Sequence, residues 1–460
     1  MKTLIKNGTI ITASEYCRAD LLIEDGKIVC IGTNIGDEAD VKIDAQDKLI
    51  FPGGIDAHVH MNVPCSDGSV SAGYDTETMA AAIGGTTTIL DYVLQEYGKS
   101  MQESIDGASV LAESQAAVDY GFHVIVTNPD AQTIGEIKGL IASGITSFKL
   151  FMANDLALDD QQLLIFMEEL ARLGGLACVH AENGAIIAHL QNGHRQKKQL
   201  EPYYHFQSRP LSSENEAINR VIALAKTADC PMLIAHVSNL EGVKIITGAQ
   251  AATPIYTESC PHYLVLDDEE YRQGEFAAAK YVISPPLRSK EEKEKLWVGI
   301  KNKGIDIISS DHNGFNYATH KQLGKDDYTR IPNGGPGIEQ RFTLMYHALT
   351  ERGIDLSRFV DLIATKPAKI FGLFPQKGTI APGSDADLVI FDPALAWTIT
   401  AKEQQQASDY TPYEGLRMKG RVAKVLLRGE VIVEEGKYVG KPGDGKFIAR
   451  QTLRSQNSKV

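Results

Sequence analysis

Six ionisable residues lie at the ends of short apolar runs in the middle of the chain, and their types are those that bind metal ions. They are four histidines, one lysine and one aspartate: His58, His60, Lys149, His180, His236 and Asp311. His58 and His60 are two residues apart, so a β-strand places both imidazoles on one face. Imidazoles and a carboxylate form a mixed ligand set suited to zinc, with manganese or cobalt as possible substitutes. The set predicts a metal centre that activates water.

Each of these residues alone has a more common structural explanation. A lone histidine at a strand end usually makes a hydrogen bond in the core, and Lys149 could extend its amine to solvent. Asp311 could cap a helix. The joint pattern is more specific, because a separate explanation would be needed at every position, and we expect the six residues to form one site.

Lys149 needs a chemical explanation, because an ammonium ion beside two divalent cations would be repelled. Carboxylation of its amine by carbon dioxide gives a carbamate anion with two oxygens, one for each metal. Two metals about 3.5–4 Å apart would share a hydroxide ion and lower its pKa toward neutrality. We therefore predict two Zn²⁺ ions per subunit and carbon dioxide held as the carbamate on Lys149.

The chain between residues 51 and 375 predicts the fold that brings this set together. Short apolar runs alternate with longer amphipathic segments, which is typical of βα units. An open doubly wound sheet would need a glycine-rich phosphate turn after its first strand, and this first strand leads into histidines instead. We predict an α/β fold with a (β/α)8 barrel of the TIM type, whose strand carboxyl ends converge on one face. The predicted strands are GGIDAHVH, GGTTTILDYV, YGFHVIVTN, GITSFKLFMA, GLACVHAEN, CPMLIAHVS, PIYTESCPHYLV and GIDIISSDH.

Both ends of the chain have a different pattern from the centre. Residues 1–50 and 376–440 contain short β-rich runs separated by turn signals such as Asn-Gly and Asp-Gly. We expect these two parts to form one small β-sandwich domain around the inserted barrel of residues 51–375. Residues 441–460 are predicted to be a C-terminal tail with a possible subunit contact.

Charge and composition restrict the class of partner. The net charge of −13 repels phosphate backbones and anionic lipids, so nucleic acid and membrane surfaces are not expected partners. The six cysteines are scattered without a CxxC pair, which indicates reduced thiols. The first residues do not resemble a signal peptide, and no run approaches the about 18 apolar residues of a membrane span. We expect a cytoplasmic protein that acts on a small molecule.

The ligand pattern resembles that of the cyclic amidohydrolases, which include hydantoinases, dihydropyrimidinases, allantoinases and dihydroorotases. The motifs YVISPP, IPNGGPGIE and DYTPYEG are most similar to the hydantoinase and dihydropyrimidinase branch. The resemblance extends nearly end to end. It implies a binuclear zinc hydrolase that opens the cyclic amide bond of hydantoins or dihydropyrimidines by attack of a hydroxide shared by two metals. It also implies a homotetramer, or a homodimer.

The resemblance assigns a role to each candidate residue. Asp311 would be both a metal ligand and the catalytic acid and base that moves the proton. Ser284 and Asn333 would bind the substrate, largely through backbone groups. Carboxylated Lys149 would bridge two metal sites, one formed by His58, His60 and Asp311 and the other by His180 and His236.

Two positions depart from the hydantoinase pattern. Asn154 stands where many hydantoinases have a tyrosine that stabilises the oxyanion, and an amide reaches less far than a phenol. Cys65 stands near the place of an aromatic residue that contacts the exocyclic substituent of the substrate. A smaller and more polar wall at Cys65 would suit a larger or more polar substituent.

The same resemblance includes three other functions. Dihydroorotases have an arginine after the HxH motif, and Met61 follows it here. Allantoinase remains the alternative, because ESCPHY is similar to its motif and that branch also lacks the tyrosine. Non-catalytic structural or signalling relatives have lost their ligands, and the intact ligand positions of this chain argue against that class.

Overall fold

A computed structural model of the chain describes residues 1–36, 38–249, 253–274, 276–453 and 455. Two of its three sheets are built from the chain ends. The N-terminal strands are β1 Lys2–Lys6, β2 Thr9–Ile11, β3 Tyr16–Arg18, β4 Asp20–Glu24, β5 Lys27–Gly32, β6 Val41–Asp44 and β7 Leu49–Pro52. Strands β5, β4, β1 and β6 form one sheet in that order.

The central sheet is a parallel barrel. Its strands are β8 Gly54–His60, β9 Thr86–Leu94, β10 Asp119–Ile125, β11 Ser147–Phe151, β12 Leu176–His180, β13 Met232–Ile234, β14 Ile255–Ser259, β15 Ile307–Ile308 and β16 His312–Asn313. Neighbours in sequence are neighbours in the sheet, and β16 pairs with β8 to close it. The predicted (β/α)8 barrel is therefore confirmed, with its eighth strand divided into β15 and β16 around Asp311.

The third sheet joins the two chain ends. Its C-terminal strands are β17 Leu388–Thr398, β18 Arg417–Leu427, β19 Glu430–Glu434 and β20 Lys437–Tyr438. The order is β20, β19, β18, β17, β7, β2 and β3, so an N-terminal strand pairs directly with a C-terminal one. This sheet and the N-terminal sheet form the predicted β-sandwich from both ends of the chain. The residue boundaries of the predicted domains stay predictions.

Helices cover the outside of the barrel. They are α1 Tyr74–Ile83, α2 Met101–Gln115, α3 Ala131–Ala142, α4 Asp160–Leu173, α5 Gly184–Gln196, α6 Tyr203–Gln207, α7 Leu211–Thr227, α8 Leu240–Ala249, α9 Pro261–Val265, α10 Lys290–Lys301, α11 Arg341–Glu351, α12 Leu356–Val360 and α13 Lys366–Ile370. Short 3-10 helices span Asp268–Arg272, Ala277–Tyr281, Lys321–Gly324 and Tyr328–Arg330, and a π-helical turn spans Asp361–Thr365. None of the described helices has both the length and the apolar character of a membrane span.

Helix α4 shows how local sequence sets these elements. The Asp159 side chain caps the first turn by accepting a hydrogen bond from the Gln162 amide, and the Gln162 side-chain oxygen accepts one from the Asp159 amide. Gly174 ends the helix with a φ of 79°, a left-handed conformation that glycine adopts without strain. Leu163, Phe166, Met167 and Leu170 repeat at helical spacing, and this is the face that packs on the barrel.

The C-terminal tail packs against its own barrel in the described residues. The Ile448 amide donates to the Tyr120 carbonyl at 2.8 Å, beside the start of β10. Arg450 is buried, and its Nη1 donates to Ser147 Oγ at 2.7 Å. The subunit contact predicted for residues 441–460 stays a prediction, and residues 454 and 456–460 lie outside the described part of the chain.

A buried lysine joins the barrel to the sandwich. Lys377 is 1% exposed, and its Nζ lies 2.6 Å from Asp387 and 3.0 Å from Asp385 and also pairs with Asp119 at the start of β10. These three aspartates are grouped closely enough to hold a metal ion. The ammonium already supplies the cation, and burial opposes its charge while the carboxylates raise the pKa of Lys377.

We expect Lys377→Met to destabilise the protein by about 3–5 kcal/mol, because it leaves buried carboxylates without their cation. Lys27→Met is the matched control, since Lys27 pairs with Asp385 from a half-exposed position and should cost less than about 1 kcal/mol. Midpoints of urea denaturation measure both variants. Equal shifts for the two would show that the Lys377 cluster does not hold the domains together.

Candidate metal centre

All six predicted ligands lie at the carboxyl end of the barrel and line one cavity of about 610 Å³. His58 and His60 end β8, Lys149 lies in β11 and His180 ends β12. His236 follows β13 by two residues, and Asp311 occupies the gap between β15 and β16. The strand ends converge in the closed barrel, so side chains up to about 250 residues apart in the sequence lie close together.

The first cluster joins the two ends of the barrel sheet. Asp311 Oδ1 lies 3.1 Å from His58 Nε2 and 3.4 Å from His60 Nε2. Ligand atoms of the three residues all lie within 4.8 Å of one another. Zinc–nitrogen bonds are about 2.0–2.1 Å long, so atoms at these separations can contact one ion.

The second cluster is a pair of histidines on neighbouring strands. His180 Nδ1 lies 3.0 Å from His236 Nε2, so both nitrogens face the same point. Nδ1 of His236 is buried and has no hydrogen-bond partner among the described residues. His236 and Asp311 have positive φ angles of 41° and 51°. Strain of this kind in residues other than glycine occurs where the surrounding structure holds a functional group in place.

The protonation states suit metal binding. Burial lowers the pKa of His60 to about 4, and burial also lowers the pKa values of His180 and His236. Burial opposes the charge of Asp311. The surrounding imidazoles, of which His58 has the largest effect, nevertheless hold the pKa of Asp311 well below the usual range. Neutral imidazoles beside an ionised carboxylate are the forms in which these side chains bind metals.

Lys149 lies beside the first cluster, and its charge also acts on His180 and His236 of the second. It is 1% exposed, its Nζ is 3.3 Å from His58 Nε2, and it lies 4.7 Å from the centroid of the Tyr92 ring. Burial lowers its pKa, against the opposing charges of Glu258 and Asp311. No carboxylate of the described residues forms an ion pair with this amine. An unpaired buried amine among ligand atoms favours the neutral form, which is the reactive one.

Two buried carboxylates that the sequence analysis missed orient the histidines. Glu258 Oε2 lies 2.7 Å from His58 Nδ1 and accepts the His236 amide at 3.1 Å. Glu182 Oε2 lies 2.9 Å from His180 Nε2. Each carboxylate binds the ring nitrogen that faces away from the site, which fixes the ring for metal binding. A glutamate inside an apolar strand, as in IYTESC, was the signal available in the sequence.

Asn154 lies at the edge of the cavity, with a φ of 66°. Its Oδ1 accepts a hydrogen bond from Arg209 Nη2 at 2.6 Å. Arg209 is buried and also forms an ion pair with Glu182. Burial opposes ionisation of the Glu182 carboxyl, but the nearby guanidinium lowers its pKa to about 2. Arg209 therefore fixes the direction of the Asn154 amide and leaves Nδ2 as its free donor.

Ser284 and Asn333 face the same cavity from two separate segments. Ser284 Oγ donates to Asn333 Oδ1 at 2.7 Å, so the two segments are in direct contact. The structure thus brings both predicted substrate-binding residues to the cavity that holds the predicted ligands.

The loop after His60 lines the cavity with mostly apolar side chains. Met61, Asn62, Val63 and Pro64 contribute to the wall, and Cys65 is not among the residues that line it. Cys65 therefore does not form the wall, while the expected preference for a larger or more polar substituent stays a prediction. The Cys65 carbonyl accepts a hydrogen bond from the Gly68 amide at 3.0 Å.

Residues 49–432 match the model of the Amidohydrolase family. A D-hydantoinase of Ralstonia pickettii is 43% identical over 99% of this chain and 100% of its own length. A D-hydantoinase of Streptomyces coelicolor is 41% identical over 98% of this chain and 99% of its own. The crystal structure of a dihydropyrimidinase from Brevibacillus agri superposes with a TM-score of 0.96 at 42% identity, covering 98% of this chain and 99% of that one.

We expect Glu258→Gln to weaken metal affinity by about 10–100-fold, because the neutral amide holds the His58 ring less firmly. Glu214→Gln is the matched control, since Glu214 is equally buried but binds Ser238 and Arg288. Competition with a chromogenic chelator measures zinc affinity in both. Unchanged affinity in the Glu258 variant would show that this carboxylate does not support the ligands.

Proposed function

Because the chain belongs to the amidohydrolase family, we propose that it hydrolyses the ring amide bond of hydantoins and dihydropyrimidines, with preference for D-enantiomers of substituted hydantoins. The observation that carries the proposal is the convergence of Lys149, four histidines and Asp311 on one cavity. The names of its relatives, D-hydantoinase and dihydropyrimidinase, support the substrate class.

We infer a centre of two divalent metal ions, which the donor atoms fit in type, spacing and protonation state. The ions would be zinc, because the set is rich in imidazole nitrogens. When bound, they lower the pKa of water toward neutrality and polarise a carbonyl group. Lys149 would contact both ions, one held by His58, His60 and Asp311 and the other by His180 and His236.

Carboxylation of Lys149 supplies the missing negative charge. The neutral Nζ forms a bond to the carbon of carbon dioxide and releases a proton, which gives a carbamate with two oxygens. Burial lowers the pKa of the amine and so supports this reaction, because only the neutral amine has a free electron pair. The lack of an ion-pair partner among the described residues supports it as well.

Asp311 is the proposed catalytic acid and base. Its ionised carboxylate accepts a proton from the attacking water and returns it to the ring nitrogen as the carbon–nitrogen bond breaks. The position of Asp311 between the two strand pieces supports this role. Its side chain lines the cavity and is 13% exposed, and its Oδ1 lies beside the His58 and His60 rings.

Asn154 is the proposed donor to the carbonyl oxygen of the scissile amide. Its Oδ1 is occupied by Arg209, so its Nδ2 is free to donate toward the cavity. A donor aimed at an oxygen that gains charge stabilises the transition state more than the substrate. Ser284 and Asn333, which lie on two other segments in contact with each other, would hold the rest of the ring.

The cellular setting is part of the proposal. We infer a cytoplasmic homotetramer, or homodimer, from the sequence resemblance and the scattered thiols. We also infer a division into a sandwich of residues 1–50 and 376–440, a barrel of residues 51–375 and a tail of residues 441–460.

Steady-state hydrolysis of dihydrouracil, hydantoin, both enantiomers of 5-phenylhydantoin and allantoin tests the reaction. We expect ring opening of the first two and of the D-enantiomer, lost on chelation and restored by zinc. Lys149→Ala should lower kcat/KM by about 10³-fold or more, since several kcal/mol of metal stabilisation depend on it. Lys99→Ala, at an exposed lysine, is the control. Hydrolysis of allantoin alone would assign the allantoinase reaction, and no hydrolysis with two bound metals would contradict the proposal.

Asn154→Asp tests the proposed donor. The carboxylate keeps the contact with Arg209 but has no N–H, so kcat should fall by about 10²–10³-fold with little change in KM. Asn219→Asp on the exposed face of α7 is the matched control and should retain wild-type rates. Wild-type kcat in the Asn154 variant would rule out its role.

A further inference from the structure

Lys321 is a fully buried lysine whose donors are all directed at backbone carbonyls. It begins the short 3-10 helix Lys321–Gly324 and is 0% exposed. Its Nζ lies 3.1 Å from the Val282 oxygen, 2.6 Å from the Pro332 oxygen and 2.6 Å from the Gly334 oxygen. An ammonium group has three N–H donors, and each has one acceptor here.

The three carbonyls belong to the segments that carry Ser284 and Asn333. Val282 precedes Ser284 by two residues, and Pro332 and Gly334 are the neighbours of Asn333. The Gly334 amide also donates to the Val282 carbonyl at 3.1 Å. Lys321 therefore lies at the junction of the two segments, on the side away from the cavity that Ser284, Asn333 and Gly334 line.

Burial of this charge is costly. Burial lowers the pKa of Lys321 to about 7, and the ionisable group that opposes this shift is Cys65. His205 also faces the junction, but burial holds its pKa at about 3, so it is neutral. Among the described residues no carboxylate compensates the ammonium. A chain keeps such a group where its hydrogen bonds fix a geometry that an apolar side chain would leave open.

We propose that Lys321 is a positioning residue that sets the spacing between the Ser284 and Asn333 segments and so shapes the substrate-binding side of the cavity. The proposal rests on the proposed function, because the two segments matter only if they hold the ring. Lys321 touches neither the substrate nor the metal ligands. It acts through the backbone carbonyls of the residues that flank the two contacts.

Other hydrogen bonds also hold the segment before Ser284, so Lys321 can be replaced without loss of the fold. His205 Nε2 donates to the Ile283 carbonyl at 2.6 Å, and the Gly334 amide still bonds to Val282. Removal of the Lys321 ammonium therefore frees the Pro332 and Gly334 carbonyls while other hydrogen bonds retain the segment before Ser284. We expect local loosening of the Asn333 segment.

The test is Lys321→Met, an unbranched side chain of similar length. We expect kcat/KM for dihydrouracil to fall by about 10–100-fold, mainly through a higher KM, because a substrate contact is displaced while the ligands stay in place. Zinc content should equal that of the wild type. Lys377→Met is the matched control, because Lys377 is equally buried but far from the cavity, and it should keep the wild-type KM. A KM unchanged in the Lys321 variant, or raised equally in both, would overturn the proposal.

Hydrogen–deuterium exchange separates this inference from the proposed function. Residues 331–335 should exchange at least about tenfold faster in Lys321→Met than in the wild type, and at the wild-type rate in Lys377→Met. This readout needs no substrate. Faster exchange in a protein that hydrolyses none of the rings would contradict the proposed function and retain the structural role of Lys321. Unchanged exchange would contradict the positioning role whatever the activity.

Discussion

The site depends on the burial of one amine among histidines. Lys149 Nζ lies 3.3 Å from His58 Nε2 inside a closed barrel, and no described carboxylate forms an ion pair with it. A charged ammonium would be unstable in these surroundings, whereas a neutral amine can be converted to an anion by carbon dioxide. The arrangement of imidazoles and Asp311 around it is then that of a site prepared for cations. The barrel supplies this arrangement, because β11 pairs on one side with β10 and on the other with β12, whose last residue is His180.

Buried polar groups outside the ligand set keep it in order. Glu258 and Glu182 each bind the outer nitrogen of a histidine, and Arg209 connects Glu182 to Asn154 at the cavity edge. Lys321 supports the Asn333 segment of the cavity in a similar way, but it binds backbone carbonyls rather than side chains. Each of these groups makes at least one hydrogen bond to a residue that lines the cavity. Their burial costs solvation energy, but their hydrogen bonds set the geometry of the site before substrate binds.

The barrel and the ligand cluster could both be predicted from the sequence. The barrel follows from the alternation of short apolar runs with amphipathic segments, and the cluster follows from ionisable residues at strand ends. The spacing of His58 and His60 requires a strand to place them together, and six residues at strand ends require a barrel to converge. The split of the eighth strand was not predictable, because the positive φ of Asp311 has no local signal in SSDH. Lys321 was missed because its acceptors lie 11, 13 and 39 residues away along irregular segments. That Cys65 does not line the cavity was not predictable either, because the turn of a loop, not its composition, decides which side chain faces the cavity.

The decisive experiment measures the metal content of the protein together with the carboxylation of Lys149. Protein freed of metal would be given zinc with and without ¹³C-labelled bicarbonate, then analysed by mass spectrometry for zinc and by ¹³C NMR for the carbamate carbon. We expect two zinc ions per chain and one carbamate signal when bicarbonate is present, and fewer bound ions when it is withheld. A fully active protein with one zinc ion per chain and no carbamate carbon would contradict it.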